Sequence, residues 1–131
     1  MKPRFYSAYS PSSLPDVTAV EIALLCGKIV EPTRAPSKIA VNETAAKLLA
    51  GLYRQLSPGT SARCHMPAFG LVFISGTACI GSVSICWQCT NLYFYSGTNR
   101  MLYGFDPSTP AAQQLHAELC QLAGLNPESA T

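Results

Sequence analysis

Charge is what this sequence has least of. From residue 64 to residue 99 there is no Asp, Glu, Lys or Arg, and His65 is the one side chain in that stretch able to take a charge through protonation near neutral pH. Over the whole chain charged residues make up 12%, against roughly 25% in an average soluble domain. The net charge of +2, from nine Lys and Arg against seven Asp and Glu, is too small for the clustered basic face that captures nucleic acid. Two histidines and two aspartates leave little material for a nucleophile, a base and an orienting acid. No phosphate-binding loop, dinucleotide fingerprint or carboxylate pair is present, so hydrolase, kinase and dehydrogenase chemistries have nothing to stand on and the reading is non-enzymatic. No apolar stretch approaches the roughly 20 residues needed to cross a bilayer. The run from Ile22 to Cys26 is too short and starts too late for a secretory signal, and a cytoplasmic location is the expectation.

What is present is enough for one domain. A chain of 131 residues with 48% apolar content can bury roughly two thirds of the surface its unfolded state exposes. Residues 1–16, with Pro3, Pro11, Pro15 and four serines, read as an extended arm. Its aromatics Phe5, Tyr6 and Tyr9 are expected to pack on this domain or on a partner. Residues 17–29 read as a covered strand with Val20, Ile22 and Leu24 on one face, and Pro32 and Pro36 mark a loop. Residues 42–56 read as a helix with Asn42 as N-cap and Ala45, Leu48, Leu49, Leu52 and Leu56 as the apolar stripe. Four short strands follow, at 70–74, 79–87, 92–95 and 101–105, with Ser96-Gly97-Thr98-Asn99 as a hairpin loop. A last helix is signalled by Thr109 and Pro110 at its start and Gly124 at its stop, with Ala112, Leu115, Leu119 and Leu122 along its stripe. The expected fold is α+β: a mostly antiparallel sheet of about five strands with two helices, in the order β-α-β-β-β-β-α. The domain spans 17–126 and 127–131 form a tail.

The neutral stretch has two readings. Its sheet is covered on both sides by the chain itself, or part of it is a surface for a partner. Interface cores are poor in charge and rich in Tyr, Trp, Met and Arg, and the hairpin with Tyr93, Tyr95, Asn99, Arg100 and Tyr103 has that composition. With Phe5, Tyr6 and Tyr9 these residues are the expected partner-binding set. On the second strand, Ser82, Ser84 and Cys86 fall on one face and Val83, Ile85 and Trp87 on the other.

Six cysteines, Cys26, Cys64, Cys79, Cys86, Cys89 and Cys120, are expected to be reduced in a cytoplasmic protein. Cys86-Trp87-Gln88-Cys89 is a Cys-x-x-Cys pair whose spacing lets two thiolates converge on one zinc ion, with Cys64 or His65 as further ligands. A redox dithiol is the other chemistry of this motif, but it calls for a helix N-terminus that the following strand does not supply. Two structural thiols at a strand end is the simplest account, so no cofactor is expected, with zinc on Cys64, His65, Cys86 and Cys89 as the alternative.

The residues Leu52-Tyr53, Cys64-His65-Met66-Pro67 and Ile85-Cys86-Trp87-Gln88-Cys89 follow one another in a recognisable layout. In it, residues 42–125 resemble small, poorly characterised bacterial proteins in which a helix ending in Leu-Tyr precedes a Cys-x-x-Pro-Arg-His segment and a Cys-Phe-x-Cys strand. Ala68-Phe69 stand here where that pattern has Arg-His. The resemblance implies an α+β fold with cysteines gathered near adjoining strands, and brings no activity with it.

The functional expectation is a protein-binding domain, in concrete form an immunity-type inhibitor of a bacterial toxin, with no nucleic-acid or membrane partner. A homodimer through the uncharged meander satisfies the same composition. The alternative function is a zinc- or thiol-dependent protein.

Overall fold

The computed structural model describes residues 10–97, 99–128 and 130. Its strands are β1 (Ala19–Leu24), β2 (Lys38–Ala40), β3 (Phe69–Ser75), β4 (Ala78–Cys86), β5 (Asn91–Ser96) and β6 (Asn99–Gly104), and its helices are α1 (Glu43–Arg54) and α2 (Pro110–Ala123). The six strands form one sheet in the order β2-β1-β3-β4-β5-β6, antiparallel at every pairing. The fold is thus the expected α+β class with one strand more than expected. The extra strand, β2, is three residues long, lies at an edge and has no apolar run to announce it. Among the described residues no helix is long and apolar enough to cross a membrane.

Local chemistry accounts for the element ends. Asn42 Oδ1 accepts the Ala45 amide at 2.8 Å and starts α1, satisfying one of the orphan donors of the first turn. Thr109 Oγ1 does the same for α2 through the Ala112 amide, with Pro110 at a first-turn position where no amide is needed. Gly124 closes α2 in the left-handed conformation, open to glycine at little cost. β1 stops at Leu24, well short of residue 29, because Cys26 and Gly27 both take positive φ and turn the chain.

Period-two alternation sends Val20 and Ile22, Phe69, Leu71 and Phe73, Val83 and Ile85, and Leu92 and Phe94 to one face, where they meet the helices in the main core. From α1 the buried residues are Ala46, Leu49, Ala50, Leu52 and Tyr53. The helical face is therefore rotated from the expected stripe: Leu48 is 38% exposed and Tyr53 fully buried, its ring 5.0 Å from Phe73. In α2, Leu122 is likewise outside and Cys120 inside.

Leu14 and Ala130, the one near the start and the other near the end of the described residues, join this core. Pro11 and Leu14, in the stretch expected as an arm, are buried, and Arg54 Nε donates to the Leu14 carbonyl at 2.9 Å. At the other end Ala130 is buried, and His116 Nε2 donates to its carbonyl at 2.9 Å. Phe5, Tyr6 and Tyr9 lie outside the described residues.

Candidate functional site: the outer face of the sheet

The face of the sheet away from the helices carries Glu21 and Ala23, Gly70 and Val72, Ser82 and Ser84, Asn91, Tyr93 and Tyr95, and Arg100 and Leu102, as the strand register requires. The chain itself covers two parts of it. Over β3, a short 3-10 helix (Pro32–Arg34) seats Pro32 on Gly70. A Cβ at residue 70 would stand 2.7 Å from the proline Cγ and 2.9 Å from the Val83 carbonyl, so only glycine admits the contact. Ala23, Leu25 and Ala35 make a small second apolar cluster beneath the same segment.

The second cover is the segment before β3, fastened by polar groups. His65 is buried. Its Nδ1 lies 2.7 Å from Asn91 Oδ1 and its Nε2 2.7 Å from Ser84 Oγ. Asn91 Nδ2 donates to Ser61 Oγ and to the Ala62 and Cys64 carbonyls, so Asn91 Oδ1 must accept. His65 therefore donates from Nδ1, and its Nε2 accepts the Ser84 hydroxyl proton. Burial lowers the His65 pKa below its ordinary 6.5, against the Asn91 hydrogen bond and with help from the nearby positive charge of Arg100.

Hydroxyl, imidazole and orienting amide have here the connectivity of a nucleophilic triad. Ser84, however, is 0% exposed, in the middle of a sheet and beneath the His65 segment. The trio acts as a clamp that ties residues 61–65 to β4 and β5.

The cysteines reinforce this clamp, and here the expectation of reduced thiols is corrected for two of the six, while Cys26, Cys79, Cys86 and Cys120 remain thiols. Cys64 and Cys89 form a disulfide across 25 positions. Cys89 sits in the tight turn between β4 and β5, whose Trp87 Nε1 donates to the Ala112 carbonyl at 3.1 Å. Cys86 Sγ accepts the Cys89 amide at 3.2 Å. Of the four residues expected as alternative zinc ligands, Cys64 and Cys89 are thus joined to each other and both ring nitrogens of His65 are engaged. Among the described residues no group of three His, Cys, Asp or Glu side chains is placed to hold a metal ion.

The hairpin residues expected to bind a partner are brought together only in part. Tyr93, Tyr95 and Arg100 share the outer face, whereas Asn99 and Tyr103 belong to the other side. Tyr103 is half-buried against the core, where burial raises its pKa and a hydrogen bond with Ser10 opposes the rise. Tyr95 is only 9% exposed, so it is no free anchor. The reason is the cover just described: neutral strands β3, β4 and β5 are neutral because this chain hides most of them. Tyr93 is half-buried, with its ring 4.2 Å from His65 and the Arg100 guanidinium 4.3 Å from its centroid, a cation–π contact.

Among the described residues, what stays open is β6. Asn99, Arg100, Met101 and Leu102 are all exposed, Leu102 to 51%. The strand lies at the sheet edge. Phe105 donates its amide inward to the Thr90 carbonyl, while the Gly104 carbonyl accepts from Gly59 on the outer side. By the antiparallel alternation, Asn99, Met101 and Tyr103 bond to β5, and the backbone groups of Arg100 and Leu102 point outward. Leu102 was not among the residues singled out from the sequence; its place in a short strand after the hairpin loop was the available signal.

Comparison with known proteins places this architecture beside none of them: no family model, curated protein or solved structure matches the chain.

Proposed function

We propose that this chain is a non-enzymatic binding protein that takes an extended segment of another protein onto the open edge of β6. The observation that supports it most is that edge: outward backbone groups at Arg100 and Leu102, flanked by exposed Leu102 and Met101 side chains. Strand addition draws affinity from such backbone groups and specificity from the side chains that alternate beside them. Long uncovered edges invite unwanted pairing, and Arg100, the first charge after 36 neutral positions, sits where it can select the partner.

The concrete form we propose is an immunity-type inhibitor that binds and neutralises a bacterial toxin; the bacterial setting rests on the resemblance of residues 42–125. A cytoplasmic setting has two observations to weigh. The thiols of Cys26 and Cys79 are exposed and outside any disulfide, which suits a reducing compartment, while the Cys64–Cys89 bond suits an oxidising one. Thiol alkylation of protein drawn from its host separates the two.

The test is a capture from host extract with the full chain, repeated with Leu102→Pro. Proline at an edge position with an outward amide leaves the internal ladder intact and removes one outward donor. The expected result is a partner held by the native chain and lost by Leu102→Pro at unchanged melting temperature. A partner held equally by both sinks the edge reading. Relief of the partner's toxicity on co-expression, absent with Leu102→Pro, tests the inhibitor form.

A further inference from the structure

Two hydroxyls on the outer face stand out. Ser82 is 1% and Tyr95 9% exposed, and neither side-chain oxygen has a hydrogen-bond partner among the described residues. Buried polar groups are nearly always bonded, and one that is not calls for an explanation such as a bound molecule. The two residues are cross-strand neighbours. Both line a recess of about 310 Å³ between the hairpin and the 3-10 segment, together with Glu31, Thr33 and Ser96. Past Glu31 and Tyr95 lies a wider recess of about 640 Å³, whose wall adds Arg34 and Arg100.

The charges around these recesses are unequal. Arg34 pairs with Glu31 at 3.6 Å. Arg100 makes no ion pair among the described residues and instead rests against Tyr93. Among the described residues the wall therefore offers one guanidinium without a counter-charge and two hydroxyls without a bond. That combination fits one planar monoanion with polar groups beside it. A guanidinium matches a carboxylate through two parallel hydrogen bonds, whereas a phosphate dianion would bring a second negative charge toward Glu31. The smaller recess lies at the lower end of the 300–1,000 Å³ range of ligand pockets.

We propose that this recess binds a small carboxylate-bearing molecule, its carboxylate on Arg100 and its remaining polar atoms satisfied by Tyr95 and Ser82. The site shares Arg100 with the strand edge, through its side chain rather than its backbone, and is told apart from it by Leu102, which does not line the recess.

The test is an amide NMR titration of the full chain with sodium benzoate, acetate and L-glutamate, with inorganic phosphate and chloride as controls at matched ionic strength. The expected result is saturable shifts at Ser82, Tyr95, Ser96 and Arg100 for at least one carboxylate, weaker or absent with the controls. Tyr95→Phe should weaken that binding about five- to tenfold and Arg100→Met by more, while Leu102→Pro binds as the native chain does. Because Tyr95→Phe removes an oxygen with no bond to lose, its melting temperature should hold or rise. The proposal is overturned by the absence of saturable shifts with every carboxylate. It is equally overturned by phosphate binding as tightly, by binding indifferent to Tyr95→Phe and Arg100→Met, or by a lowered melting temperature for Tyr95→Phe.

Discussion

On the helix side, the sheet meets α1 and α2 through Phe69, Leu71, Phe73, Val83, Ile85, Leu92 and Phe94, every one at most 1% exposed. On the outer side the same strands carry Gly70, Ser82, Ser84, Asn91, Tyr93 and Tyr95, covered by loop segments held through a proline contact, a histidine clamp and a disulfide. Apolar packing against helices is insensitive to pH and redox state. The outer cover depends on both, and among the described residues it stops short of β6. The lesson is that a neutral stretch of sequence reports concealment without saying what conceals it. Here most of the concealment is internal, and the strand beyond the neutral stretch is the open one.

The contrast is broken most severely by truncating the helix side. Phe73→Ala should cost about 3–5 kcal/mol, the usual range for emptying a buried aromatic site, and Leu102→Ala on the open strand about 0.5 kcal/mol or less; urea denaturation midpoints measure both. Comparable losses would mean that β6 is as enclosed as β3. Next in size is the disulfide. Replacing Cys64 and Cys89 together by Ser releases a loop spanning 25 positions and should cost about 3 kcal/mol on the chain-entropy account. An unchanged denaturation midpoint would show that the bond contributes nothing to stability in solution.

The smallest effect is a pH dependence on the outer face alone. The His65 pKa is lower in the fold than its ordinary 6.5, so below pH 6.5 the unfolded chain binds the proton that the folded chain resists. Stability from this group is complete above that value and declines as pH falls toward the folded pKa. Protonation also destroys the Nε2 acceptor that holds Ser84. Melting temperature should fall below pH 6.5 in the native chain and less steeply in His65→Gln. Equal slopes would remove His65 as the cause.

Much of the helix side was legible from the sequence. Asn42, Thr109, Pro110 and Gly124 carry the capping chemistry that places the helices, and alternation in β4 separated Ser82 and Ser84 from Val83 and Ile85. The stripe of α1 was misaligned because Tyr53, with its polar tip, packs in the core while Leu48 does not. β2 was missed for want of an apolar run. The outer face was harder to read because its contacts are long in sequence: Pro32 on Gly70, Cys64 to Cys89, and His65 between Ser84 and Asn91. The Cys-x-x-Cys spacing suggested that Cys86 and Cys89 act together, whereas the fold gives Cys89 to Cys64. Composition placed Tyr95 with Tyr93 and Arg100, and tertiary packing then buried it.

The most direct test is amide hydrogen exchange along β6 in the isolated protein at several protein concentrations. The prediction is alternation: Met101 and Tyr103 protected by β5, Arg100 and Leu102 exchanging rapidly at every concentration, then slowing when the partner is added. Slow exchange at Arg100 and Leu102 in the isolated chain would mean that the edge is already occupied, by this chain if independent of concentration and by a second copy if not, and would contradict the binding account.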